Sequence, residues 1–590
     1  MVGRGIRGIP FSKLNLALGH LSGYQLLKGG YHEEGLLTYL LTVVLTSALH
    51  GEARWVSFND KGQVGDSAQV WVVGVTDSSI ILEYDAYGMW VEDKEVDGEV
   101  YQVISIPGAG VAGKEGAPII SAVSRLLAVP DDAGVSVVVL DYSSKTLEGY
   151  NLYPLQPLVP YLWDVSPPPF VKDEEIYNSG EVYPAWDLVK VDAPKVWRDY
   201  RVVNVTFYPT YYDPTGYGYV EVYDRIVCEV IFSGWGPNPL TYRPGHSFAF
   251  EKLYESFLVN YEYVKRRWFS PKSGYLIIVP SVFKSLVKPL ADWKRKKGYY
   301  VEVISPGRRD SATIHSIIKD AYNNWSVPLE YVLLVGDEWG RTRVPEVKDV
   351  NYRAYLPCGY HPITWEVEGL PDEFGTDHCY SLLSGTDYYP DVFIGRLPCN
   401  TAEECEALID RIIEYEKSPY TVERGWYKKA TGVCIDDLSQ YSLLWSQHIC
   451  EQTISECNML LREYEGYVQT DSLFEPPDCD GIVRDSISAG RSIVYYDGHG
   501  WMDGWYDEWG NLLFGVESVG ELENGKKWPV VITPTCLSNA FWLEEYEPVM
   551  GERFVVREDD NGAIAYVGCT HVSYVYFADM FLVGMIRAIS

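Results

Sequence analysis

Two textures divide the chain. Between about Glu52 and Gly234, apolar residues alternate with polar ones in short runs such as VSVVVLDY, YRVVNVTFYP and YGYVEVYDRIVCEVIF, broken by Gly, Pro and Asp. Period-two alternation at this spacing predicts antiparallel β-structure. The stretch PLQPLVPYLWDVSPPP (154–169) predicts an extended connector, since proline fixes φ and removes a backbone donor. Residues 235–274 are polar and weak in strand pattern, and they hold Lys265-Arg266-Arg267 in an otherwise acidic chain. They read as a linker, with Arg266 and Arg267 as its processing site.

From Tyr275 the period changes. YLIIV (Tyr275–Val279), a helical stretch ending at Gly298, YVEVI (Tyr300–Ile304), a helix around Ile314–Trp325 and YVLLVGD (Tyr331–Asp337) give β-α-β-α-β. That order predicts a parallel sheet flanked by helices. DVFIGRL (Asp391–Leu397) then leads into the strongly periodic AEECEALIDRIIEYEK (Ala402–Lys417). A second α/β set follows, with strands in ATGVCIDD, SIVYYDGHG, PVVITPTC and GAIAYVG. The expected units are therefore a β-rich region over 52–234, the linker over 235–274, and two α/β subdomains over 275–425 and 426–590.

Composition narrows the function. At 590 residues the chain is too long for one core. Its net charge of -33 repels phosphate backbones and argues against nucleic-acid partners. The apolar run Leu36–Leu49 is too short to span a bilayer but suits a signal-peptide core with Thr46 and Ala48 for cleavage, so residues 1–51 read as a signal peptide with a long N-terminal extension and the protein as secreted. Eleven cysteines allow either disulfides with one thiol left over or a set of buried, reduced side chains.

In open parallel sheets, functional groups gather beyond the carboxyl ends of strands. That position holds Asp436 and Asp437, then Asp497-Gly498-His499-Gly500, then Thr535-Cys536. A carboxylate, an imidazole and a thiol are the parts of thiol-based nucleophilic catalysis. Most of an ordinary thiol is protonated at neutral pH, so an imidazole must take its proton and later return it to a leaving amine. The Gly500 amide could hold an oxyanion. A Cys/His metal site is the chemical competitor, and the lack of a CxxC or HxxxH pair counts against it. His378 and Cys379 form a second pair, but in a loop that reads as structural, and Cys569 is the fallback nucleophile.

The order of strand-then-His-Gly and strand-then-Cys resembles caspase-like cysteine peptidases. YYDGHG, TPTCLSNAF, YLIIVPSVFKSLVKPLADWKRKKGYYVEVI, YVLLVGD, DVFIGRLP and the helix ending in IEYEK resemble the gingipain family in particular. Residues 153–234, with IYNSGEVYP and VVNVTFYPTYYDPTGYG, look like the end of that family's propeptide. The resemblance implies a caspase-like α/β catalytic unit behind an antiparallel β prodomain, and an extracellular endopeptidase made as a zymogen. It implies a Cys536–His499 dyad, an oxyanion hole from the amides of Gly500 and Cys536, and an orienting acid at Asp437 or its neighbour Asp436. It also implies an S1 wall near Tyr574 and calcium as a structural support, with no cofactor needed for the chemistry, while the nearby His571 reads as a bystander. The acidic S1 residue of Arg-specific members has no clear match. The partners implied are protein or peptide substrates and the chain's own prodomain. Competing readings are a non-catalytic surface or adhesive protein on the same scaffold, and a transpeptidase.

Overall fold

A computed structural model describes residues 53–589 apart from 60–61, 158–168, 217, 244, 266–271, 309, 339–357, 363–372, 436–448, 475–477, 508 and 544–547. The apolar run Leu36–Leu49, much of the proline-rich connector, Arg266, Arg267, Asp436 and Asp437 lie outside the described residues.

The N-terminal region is built from antiparallel sheets, as the alternation predicts. One of its two longest strands, Tyr219–Ser233, pairs along its whole length with the other, Gly134–Glu148, on one side, and with Thr210–Asp213 and Ser79–Asp85 on the other. Leu82, Tyr84, Val203, Val205, Val220, Val222 and Cys228 fill a core of their own between these sheets. Polar partners occupy the opposite face, where Arg225 reaches Glu83 and Asp141.

The rest is built mainly on two parallel sheets. The first contains β1 (Gly274–Ile278), β2 (Tyr300–Ile304), β3 (Leu329–Val335) and β4 (Phe393–Leu397) in the order β2-β1-β3-β4. Helix α1 (Lys288–Lys296) and α2 (Ser311–Asn324) make the crossovers, and α3 (Ala402–Lys417) follows β4. The start of α3 is locally encoded: Thr401 and Glu404 form a reciprocal capping box. The second sheet contains β5 (Lys429–Cys434), β6 (Gln469–Phe474), β7 (Ile493–Asp497), β8 (Val530–Thr533) and β9 (Ala565–Gly568) in the order β6-β5-β7-β8-β9, all parallel. The central strands of both sheets are buried on both faces, which explains their nearly continuous apolar runs.

The stretch expected to be a linker is instead folded over much of its length. Residues Phe248–Phe257 and Tyr261–Val264 are helices, and Phe250, Leu253, Tyr254, Leu258 and Tyr261 enter the core shared with the α/β units. Ser247 caps the first helix through the Phe250 amide. Its apolar residues do recur at helical spacing, but the polar residues between them mask a stripe that only burial reveals.

Two buried arginines join the parts. Arg198, at the turn before the strand Tyr200–Phe207, is fully buried; its amide donates to Asp391 Oδ1 at 3.1 Å and its guanidinium donates to the Asp391 carbonyl. Asp391 also accepts from the Leu383 and Ser384 amides, both at 2.7 Å. On α3, Arg411 donates to the carbonyls of Val555, Ala563, Arg557 and Asp559 in the second α/β unit. Removing one member of such a buried set strands the other. Arg198→Ala is expected to destabilise the protein by about 3–5 kcal/mol, read as a fall in the urea midpoint, and an unchanged midpoint would contradict this anchoring role.

Candidate active site

Strands β7 and β8 run side by side in register, with Ile493 opposite Val530 and Tyr495 opposite Ile532. This offset of 37 positions equals the separation of His499 from Cys536, so the two turns leave the sheet level with each other.

Beyond β7 the chain turns at Gly498 and starts a small antiparallel sheet of His499–Trp501, Gly504–Tyr506 and Leu512–Gly515. The sequence pattern merged its first strand with β7 into one. Tyr496 organises this turn. Its hydroxyl lies 2.7 Å from the His499 carbonyl and 3.0 Å from that of Tyr506, while its ring stacks on Trp505 at 4.4 Å. His499 and Cys536 are both fully buried.

The thiol turn is tied to both neighbours. On the His499 side, the Thr535 hydroxyl donates to the Gly498 carbonyl. Gly500 packs so closely here that an added Cβ would lie 2.5 Å from the Thr535 side chain and 3.1 Å from the Cys536 carbonyl. On the other side lies the segment after β9. The Leu537 amide donates to the His571 carbonyl at 3.1 Å, and the Asn539 amide to that of Cys569 at 3.0 Å. Leu537 has φ 55, a left-handed conformation that costs an ordinary side chain about 1–2 kcal/mol. The Ser573 amide donates to Cys536 Sγ at 3.1 Å, and the thiol donates to the Ser573 carbonyl at 3.5 Å.

Of the residues singled out from sequence, the structure brings His499, Gly500, Cys536 and Tyr574 to one edge. Burial, and to a lesser degree the charge of Cys536, push the Tyr574 phenol up to about 12. The His571 ring lies 5.1 Å from that of Phe374 in the first α/β unit, tilted against it. His378 is engaged within its own turn, with Nδ1 3.3 Å from Ser381 Oγ, and Cys379 contacts the Thr376 carbonyl. Burial pushes the Cys569 thiol up to about 12, which makes it a poor nucleophile. All eleven cysteines are free thiols. Among the described residues no group of three or more His, Cys, Asp or Glu converges as a metal site. No helix among them is long and apolar enough to cross a membrane.

Tyr496 and Ser573 were not singled out from sequence, and Thr535 was named only as the residue before the thiol. Ser573 follows the next strand along the same edge, so extending the strand-end rule by one strand would have reached it.

Parallel sheets with a thiol and an imidazole on adjoining strand-end turns, behind an antiparallel β region, define the class as cysteine peptidases. The chain belongs to peptidase family C25: the family model matches residues 270–590, and the C25 propeptide model matches 60–269. It is similar to gingipain R2 of Porphyromonas gingivalis, 26% identical over 547 residues that cover 90% of this chain and 68% of that one. It is also similar to Lys-gingipain W83 of the same organism, 25% identical over 81% of this chain but only 26% of the relative. Among solved structures it resembles the Arg-specific cysteine proteinase gingipain R, with 24% identity, 53% of this chain and 66% of that chain covered, and a TM-score of 0.43.

The close approach at Gly500 gives a direct test. Gly500→Ala is expected to push the two turns apart, lowering kcat for a peptide substrate at least about tenfold and stability by about 1–3 kcal/mol. Wild-type turnover in that variant would mean that the contact does not position the site.

Proposed function

We propose that the protein is a secreted cysteine endopeptidase made as a zymogen, with Cys536 as nucleophile and His499 as its acid/base partner. The observation that carries this reading is the contact between the two strand-end turns, through Thr535, Gly498 and Gly500. His499 takes the thiol proton and the thiolate attacks the scissile carbonyl carbon. The resulting oxyanion is held by the amides of Gly500 and Cys536. The C–N bond then breaks as His499 returns the proton to the leaving amine, leaving a thioester on Cys536. Water, deprotonated by His499, attacks that thioester, and the C–S bond breaks to restore the thiol. These side chains account for every bond made and broken, so the chemistry calls for no cofactor. Asp437, or its neighbour Asp436, orients the imidazole, and Tyr574 lines the pocket for the residue before the scissile bond.

Residues 52–234 act as the prodomain in this reading, with processing at Arg266 or Arg267. The boundary between the propeptide and peptidase matches falls between residues 269 and 270, just after that basic cluster, which supports the assignment. If the enzyme matures itself, the cluster points to a basic P1 residue.

Cys536→Ala is expected to abolish peptide cleavage with the fold kept, and retained turnover would sink the nucleophile. His499→Ala should lower kcat by about 10²–10⁴-fold, and Asp437→Asn by less; a larger loss in Asp436→Asn would transfer the orienting role. Incubating the full chain beside its Cys536→Ala variant and sequencing new N-termini tests maturation. The expected outcome is cleavage near Arg267 in the active protein alone, with a rise in activity. Full activity in the uncut chain would remove the inhibitory role of the N-terminal region.

A further inference from the structure

The contacts of Cys536 Sγ point to a group that neither the dyad nor the oxyanion hole includes. The sulfur sits against Ser573, in the segment after β9, which approaches it with both halves of its backbone. The Ser573 amide donates to Sγ at 3.1 Å, and the Ser573 carbonyl accepts from the thiol at 3.5 Å. Ser573 is fully buried, so water does not compete for its peptide groups. Its position is fixed from both directions. Upstream, the Leu537 amide pins His571 and the Asn539 amide pins Cys569. Downstream, the chain enters α4 (Val575–Ile589), whose buried face holds Ala578, Leu582, Val583 and Ile586 in the main core. The left-handed turn at Leu537 is part of the same arrangement, since it immediately follows Cys536 and its amide makes the bond to His571.

The two contacts respond oppositely to ionisation. A thiolate has no proton to give the carbonyl, so that contact becomes repulsive, whereas the N–H contact becomes charge-assisted and strengthens. The amide is the nearer of the two, so its attraction outweighs the repulsion.

We propose that the Ser573 main-chain N–H is a catalytic group that holds the Cys536 sulfur in place and favours its thiolate, independently of His499. The proposal rests on Cys536 being the nucleophile. It assigns to the backbone a share of the activation otherwise given to the imidazole, and it makes the Ser573 side chain dispensable for that purpose.

The test is the pH profile of iodoacetamide alkylation on the full chain, with the labelled cysteine located by peptide mass spectrometry. Three proteins are compared: the parent, Ser573→Ala, and a chain in which the α-hydroxy analogue of serine at 573 turns that amide into an ester without an N–H. The expected result is a Cys536 midpoint about one pH unit higher in the ester, or about a tenfold smaller thiolate fraction at neutral pH, with Ser573→Ala tracking the parent. An ester that titrates like the parent, or a Ser573→Ala profile displaced as far as the ester's, overturns the proposal. Should the ester chain fail to fold, His499→Ala decides: Cys536 should still alkylate with a midpoint well below that of Cys569 in the same sample, and equal midpoints overturn it. Absence of label on Cys536 in the parent would instead remove the nucleophile assignment itself, so the two failures are distinguishable.

Discussion

The site depends on the contact between two turns that leave adjacent parallel strands at the same level. Parallel neighbours lie about 4.8 Å apart, so groups leaving the same edge in register arrive within reach of each other without further design. Thr535 turns that proximity into a fixed geometry by donating to the Gly498 carbonyl, and the missing side chain of Gly500 lets the backbones close. A buried carbonyl left without a donor would cost about 1–3 kcal/mol, so this bond stabilises the turn while it ties the turn that carries His499 to the one that carries Cys536. Tyr496 does the same from below, with one hydroxyl against two carbonyls of the small antiparallel sheet.

Around this contact the larger units are held by cations placed where carboxylates alone do not meet them. Arg411 is met by four carbonyl oxygens, an arrangement that suits a planar fork of five donors better than an ammonium. Burial lowers its guanidinium to about 10, and it remains charged at neutral pH. It fixes the first α/β unit on the second, and from that unit Phe374 packs its ring against His571 beside the thiol turn. Arg198 joins the N-terminal β region to the loop at Asp391, well apart in sequence from the Cys536 turn.

The strained conformation at Leu537 fits the same logic. A left-handed leucine persists only where its surroundings over-determine it. Here the side chain is fully buried with Met502, Ala540, Phe541 and Trp542, and its amide is bonded to His571. The strain sits next to the sulfur, and it turns the chain so that Cys536 faces the Ser573 peptide group.

Features encoded within a few residues could be read from the sequence. The helix Ala402–Lys417 was legible to the residue because its cap, its period and its acidic first turn are all local. The parallel sheets were legible because strands buried on both faces must be apolar throughout, and the dyad candidates because strand ends are where such sheets expose chemistry. Strand limits drifted by a few residues, since backbone pairing is not written in side-chain pattern. What required the tertiary structure depends on partners distant in sequence. The helices between Phe248 and Val264 form because their aromatic residues find a core supplied by other segments. The bond from Ser573 to Cys536 joins residues 37 positions apart through a main-chain amide, which every residue except proline possesses. No residue type marks such a donor, so the sequence named the thiol and the imidazole, and folding alone decided which peptide group the sulfur would face.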